Sequence, residues 1–101
     1  MEIEPEVTVV DNRERGRYEA SIDGQRAAHS TYELEPGRVV ITHTVVRPKF
    51  EGRGVGSRLA KFAVDDVRNR GLRIKPVCEF TRAWLRRHPE YESIVDYPTE
   101  D

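Results

Sequence analysis

The sequence predicts an α/β fold of the α+β kind. An antiparallel meander is followed by a β-α-β unit and a second helix on one mixed sheet. Three observations carry this expectation. Residues 7–46 break at turn signals into short runs with period-2 patterning. An amphipathic stretch follows, with Val55, Leu59, Phe62, Ala63 and Val67 at helical spacing. Leu72 to Val77 then returns to period 2, so the strands on either side of the helix are expected to pair in parallel.

Each element has a local reason. Val7 to Val10 is β-branched and reads as a strand, ended by the turn region Asp11 to Gly16. Arg17 to Ile22 alternates, with Tyr18, Ala20 and Ile22 on one face. Asp23-Gly24 is a hairpin signal, because both residues tolerate positive φ. Gln25 to Leu34 alternates again, with Ala28, Ser30, Tyr32 and Leu34 together. Glu35-Pro36-Gly37 makes the next turn. Val39 to Val46 is β-branched and largely apolar at consecutive positions, as in a strand covered on both faces. After the helix, Gly71 fits a C′ position. A second helix over about 79–87 is expected to turn Phe80 and Trp84 inward and to stop before Pro89.

At 101 residues the chain is expected to form one compact domain, 1–101. It is 37% hydrophobic and 35% charged, which suits a polar globular domain. Its formal net charge is −1, which argues against general binding to nucleic acid or to an anionic membrane. The single cysteine, Cys78, allows no intrachain disulfide. No apolar run approaches the length of a membrane span, and the acidic start shows no signal-peptide core. A cytoplasmic location is the expectation, with the tail 97–101 frayed. A monomer or a homodimer is expected, since a small sheet leaves an edge exposed. No cluster of residues has metal-ligand spacing, so no metal is implied.

The most specific stretch lies between the fourth strand and the first helix. Gly52-Arg53-Gly54-Val55-Gly56 opens directly into the helix, followed by Ser57 and Arg58. Glycines there let main-chain N–H groups approach an anion, and the helix dipole adds partial positive charge. This suits a phosphate or diphosphate. A P-loop would need Lys-Ser/Thr after the last glycine, and the dinucleotide fingerprint has different glycine spacing. Arg53 and Arg58 add local positive charge; the plainer alternative is a solvated helix face.

Glu51-Gly52-Arg53-Gly54-Val55-Gly56 resembles the acyl-CoA signature Gln/Arg-x-x-Gly-x-Gly/Ala of the GCN5-related N-acetyltransferases, matching at both glycines. It departs at the first position, where Glu51 replaces Gln or Arg. Thr42-His43-Thr44-Val45 before the loop is similar to the small YjdJ-type branch of that superfamily. So are Lys75-Pro76-Val77-Cys78-Glu79-Phe80 and His88-Pro89-Glu90-Tyr91 after the helix. The resemblance implies acetyl-CoA (coenzyme A) as acyl donor and an amine, on a small molecule or a protein, as acceptor. It implies two parallel strands that splay apart to admit the pantetheine arm, with main-chain groups at Val45 and Val46 bonding that arm. It implies diphosphate binding by Gly52, Arg53, Gly54, Val55, Gly56, Ser57 and Arg58.

Two residues are candidates for chemistry. Cys78 ends a strand just before a helix start, where the N-terminus favours a thiolate. The resemblance places it near the thioester, as acetyl acceptor or as an aid to transfer; the alternative is a small buried hydrophobe. An unperturbed imidazole, with a pKa of about 6.5, suits a general base that takes the ammonium proton, and His43 is the candidate by residue type. Its alternative is a hydrogen-bonded histidine between two threonines. Glu79 is a lower-ranked base, and Tyr91 is expected to pack the C-terminal part rather than to protonate a leaving thiolate. The function implied is acetyl transfer from acetyl-CoA to an amine. Two rivals stay open: a module that binds coenzyme A without efficient transfer, and a nucleotide-binding or interaction domain that uses the same loop.

Overall fold

The computed structural model describes residues 7–99; the acidic start and the last two residues of the tail lie outside them. Five strands form one sheet in sequence order: β1 (Val7–Asn12), β2 (Arg17–Ile22), β3 (Gln25–Glu35), β4 (Arg38–Val46) and β5 (Arg73–Pro76). The first four are antiparallel and the last pair is parallel. Helix α1 (Val55–Asn69) makes the crossover, and α2 (Glu79–Arg86) follows β5. The expected α/β order is therefore present.

The turns follow from their residues. Asp23 (φ 50°) and Gly24 (φ 77°) both take positive φ, the geometry that closes the β2–β3 hairpin. At the end of α1, Leu72 N–H donates to Val67 C=O and Gly71 N–H to Arg68 C=O. Those two bonds form a Schellman cap, with Gly71 in the left-handed conformation that it requires. Helix α1 buries Val55, Leu59, Ala60, Ala63, Val64 and Val67 against the sheet residues Tyr18, Ala20, Ile22, Val39 and Ile41.

Three expectations need correction. Leu34 is exposed instead of joining Ala28, Ser30 and Tyr32, because β3 runs past the end of its pairing with β2 at Arg17↔Thr31 and this end of the strand projects beyond the core. Phe62 lies at the edge of the α1 stripe, edge-on to Tyr18, and is partly exposed. Phe80 does not enter the core: it is 38% exposed, while Trp84 on the same helix is fully buried. The i, i+4 spacing put both on one side of α2, but α2 faces two environments along its length.

The parallel pairing is also shorter than the sequence suggests. Partners run only from Arg38↔Arg73 to Ile41↔Pro76, although β4 continues to Val46. Pro76 has no N–H to continue a ladder, and the N–H groups of Val77 and Cys78 both turn onto Ile41 C=O. Beyond Ile41, β4 and β5 separate. The burial of β4 changes at the same point: Val39, Val40 and Ile41 are buried in succession, and the residues from Thr42 to Val46 alternate.

Candidate functional site

The separation leaves one edge of β4 open, and the register decides which residues face it. Arg47 N–H donates to Ala27 C=O, continuing the β3–β4 register. In an antiparallel pair, alternate residues turn their main-chain groups toward and away from the partner. His43 and Val45 therefore turn theirs toward β3, while Thr44 and Val46 turn theirs to the open edge. Side chains alternate too. Those of Thr44 and Val46 are half-buried, and those of His43 and Val45 are exposed on the opposite face.

The edge leads into the glycine loop. A 3-10 turn, Pro48–Phe50, buries Phe50 and brings the chain to Gly52 (φ 78°) and Gly54 (φ 75°), both left-handed. A side chain at either position would be strained whatever room surrounds it. Gly54 is the N-cap of α1, and the first bond of the helix runs from Arg58 N–H to Gly54 C=O. The N–H groups of Val55, Gly56 and Ser57 precede that bond and have no partner within the helix. They open on a cavity of about 410 Å³ whose wall includes Val46, Phe50, Gly52, Gly54, Gly56 and Ser57. Phe80 and Arg87 close it from α2.

Gly56 serves a different purpose from the other two glycines. Its own φ is not left-handed, but a Cβ built on it would lie 2.7 Å from Cζ of the Phe80 ring. The missing side chain makes room for Phe80. Ser57 is similarly committed: Trp84 Nε1 donates to its hydroxyl at 3.0 Å. Its main-chain N–H is the group left for a ligand. Trp84 stacks on His88 at 3.9 Å between ring centroids, which fixes the ring that holds Ser57.

Cys78 is the N-cap residue of α2 and is 8% exposed. Its sulfur lies 3.3 Å from Thr44 Oγ1, which also pairs with Ser30 Oγ at 2.7 Å and reaches Thr81 Oγ1 at 3.5 Å. Burial pushes the thiol up, but Thr44, the hydroxyl and amide of Thr81 and the amide of Phe80 outweigh it and hold the thiol below its ordinary value. Thr44 thus links the open strand edge to the cysteine.

The other expected residues are not all drawn to this cavity. His43 alternates away from Thr44 and Cys78, so the two candidates for chemistry are not brought together. Arg58 lines a separate cavity of about 510 Å³ between β1 and α1, with Lys61, Phe62 and Asp65. That cavity is larger, yet it holds no unbonded helix amides and none of the glycines. Arg53 lies over the Phe50 ring, 5.8 Å from its centroid. Glu79 is exposed in the first turn of α2. Tyr91 is buried, and its hydroxyl donates to Asp65 Oδ1 at 2.6 Å. That is the packing role expected of it.

Phe50 and Thr44 contribute to this region without having been singled out as ligand contacts by pattern. For Phe80 and Arg87 a signal existed. They are seven residues apart on α2, two helical turns, and so share a stripe.

Comparison with known proteins bears on the fold and the family. The chain is 28% identical over 85 residues to Protein NATD1 of Mus musculus, covering 82% of this chain and 77% of that protein. It is 29% identical to Protein NATD1 of Bos taurus, covering 82% and 75%. Its fold is similar to the solution structure of a GCN5-like protein from Staphylococcus aureus: TM-score 0.67, 22% identity, 98% of this chain and 95% of the other. It is also similar to the ribosomal-protein-S18-alanine N-acetyltransferase of Escherichia coli (TM-score 0.55, 19% identity), where the match covers 57% of this chain and 38% of the larger one. The family described as GCN5-related N-acetyl-transferase matches residues 17–94. The chain belongs to the GCN5-related N-acetyltransferase family.

Proposed function

We propose that the protein moves an acetyl group from acetyl-CoA to an amine. The observation that carries this reading is the continuity of one cavity. The open β4 edge ends at Val46, which lines the same cavity as the glycine loop and the first turn of α1, where the amides of Val55, Gly56 and Ser57 have no helical partner. A ligand with amide groups in an extended arm and a diphosphate beyond them matches that order of donors and acceptors. The fit is supported by Gly52 and Gly54, where nothing lies within 4 Å of an added Cβ, so the loop backbone is open to an approaching anion.

Bound acetyl-CoA supplies a thioester, an activated acyl group. The chain's own residues do the rest. The α1 amides hold the diphosphate, aided by the helix dipole. Main-chain groups of Thr44 and Val46 bond the extended arm, and an N–H on this edge donates to the developing oxyanion. Water or Glu79 takes the amine proton. Cys78, next to Thr44, is the candidate for a covalent acetyl intermediate, and unchanged transfer by a Cys78→Ala variant would exclude it.

The test is thermal unfolding with acetyl-CoA, CoA, ATP and NAD at equal concentration. A ligand at 100 times its Kd stabilises by about 2.7 kcal/mol. For a domain of this size the midpoint rises by on the order of 10–20 °C. A rise with acetyl-CoA and CoA alone supports the reading; no rise with either overturns it. A second reading, a coenzyme A-binding module without efficient transfer, is favoured by the separation of His43 from Cys78. Release of free CoA in the presence of an amine panel, faster than hydrolysis, decides between the two.

A further inference from the structure

Three landmarks follow one another along α2. Cys78 is its N-cap, the Phe80 ring packs against Gly56 of the glycine loop, and Arg87 is its C-cap. Phe80 and Arg87 share a stripe about 10 Å apart along the axis, and both line the glycine-loop cavity. The cavity therefore runs from Val46 at the end of β4, past the α1 amides, to a guanidinium. That guanidinium is exposed, and among the described residues no carboxylate pairs with it. The nearest acidic neighbour in sequence, Glu90, pairs with His88 instead. Two other arginines of this region are differently engaged: Arg53 lies over the Phe50 ring and Arg86 over the Tyr97 ring. Glu51 is the one acidic residue on the cavity wall, which makes a fixed cation there more valuable to an anionic ligand.

We propose that Arg87 reads a phosphate on the far side of the ligand's diphosphate, and so makes the site selective for coenzyme A over its dephospho form. The inference rests on the acetyl-CoA reading above. With the pantetheine arm toward Thr44 and Cys78 and the diphosphate on the α1 amides, the adenosine half of the ligand extends toward Arg87. The 3′-phosphate is the only further anionic group on that half. Guanidinium is suited to it, since its N–H groups pair with two phosphate oxygens at once.

The test measures equilibrium binding of acetyl-CoA and acetyl-dephospho-CoA to the wild-type chain, Arg87→Gln and Arg86→Gln. The wild type is expected to prefer the 3′-phosphorylated ligand about fivefold, the scale of a solvent-exposed ion pair. The preference should shrink with added salt. Arg87→Gln should bind both ligands equally, with its unliganded melting temperature unchanged. Arg86→Gln should keep the preference. If Arg87→Gln keeps the preference, or the wild type binds both ligands equally, the inference is overturned while the acetyl-CoA reading stands. Equal loss in both variants would show a diffuse field and overturn it too. A wild-type chain that binds neither ligand overturns both.

Discussion

The ring of Phe80 occupies the space that a side chain at Gly56 would need, with Cζ 2.7 Å from the built Cβ. Alanine at Gly56 gains up to about 1 kcal/mol in helix propensity. It also pushes against a ring tip that is partly exposed and free to turn. These terms offset, so Gly56→Ala is expected to shift the melting temperature by no more than about 5 °C. The displaced ring narrows the cavity, and acetyl-CoA affinity should fall about tenfold or more. Gly54→Ala should behave differently: its left-handed φ costs about 1–2 kcal/mol with no ring to displace. Unchanged ligand affinity in Gly56→Ala would remove Phe80 from the cavity wall.

Ser57 and Trp84 make a second separable pair. Trp84 is buried and donates to the Ser57 hydroxyl at 3.0 Å. Ser57→Ala leaves a buried donor without its partner, a loss of about 1–3 kcal/mol. The ligand-facing N–H of residue 57 survives the change. Urea unfolding should therefore show clear destabilisation, while ligand affinity measured well below the melting temperature changes less than about threefold. A large loss of affinity at preserved stability would assign the hydroxyl itself to the ligand.

Thr44 controls the Cys78 thiol. Burial raises that thiol, and hydrogen bonds led by Thr44 lower it further than burial raises it. Thr44→Val removes the leading bond, so the thiol pKa should rise. Alkylation by iodoacetamide at a fixed pH near 7.5 should slow by up to about tenfold, with its pH profile moved to higher pH. Thr44→Ser should restore the rate. An unmoved profile in Thr44→Val would show that the α2 amides and Thr81 alone set the thiol.

Asp65 links α1 to the C-terminal part. Its oxygens accept from Tyr91 Oη at 2.6 Å, from Lys61 Nζ at 2.9 Å and from Arg68 at 3.2 Å. Burial raises the carboxyl, but the Tyr91 and Lys61 bonds outweigh it and hold it below the usual range. The sign follows by linkage. Stabilisation is complete above the unfolded carboxyl's pKa of about 3.9 and is lost as pH falls through the lower folded value. Asp65→Asn should therefore be less stable than wild type at pH 7 and pH 5, by on the order of 1 kcal/mol. The gap should narrow below about pH 4. A gap that persists unchanged at pH 3 would assign the effect to shape rather than charge.

The sequence by itself determined the order of elements, the hairpin at Asp23-Gly24, the α1 cap at Gly71 and the glycine loop at a helix start. Each depends on a few neighbouring residues and on backbone conformations that few side chains tolerate, so each can be read locally. The glycine pattern also marked a candidate anion site, because the unpaired amides at a helix start follow from chain geometry alone. Only the tertiary structure decided what surrounds that site. Where β4 and β5 part depends on the pairing of two strands separated by α1, with Pro76 as the stop. The exposure of Phe80 depends on α1 crossing α2 at Gly56. Thr44 meets Cys78 across 34 residues of sequence, and His43, its neighbour, is turned away by the pleat. Periodicity fixes which side chains share a face; which object that face meets is settled by contacts between distant segments, and no local pattern carries them.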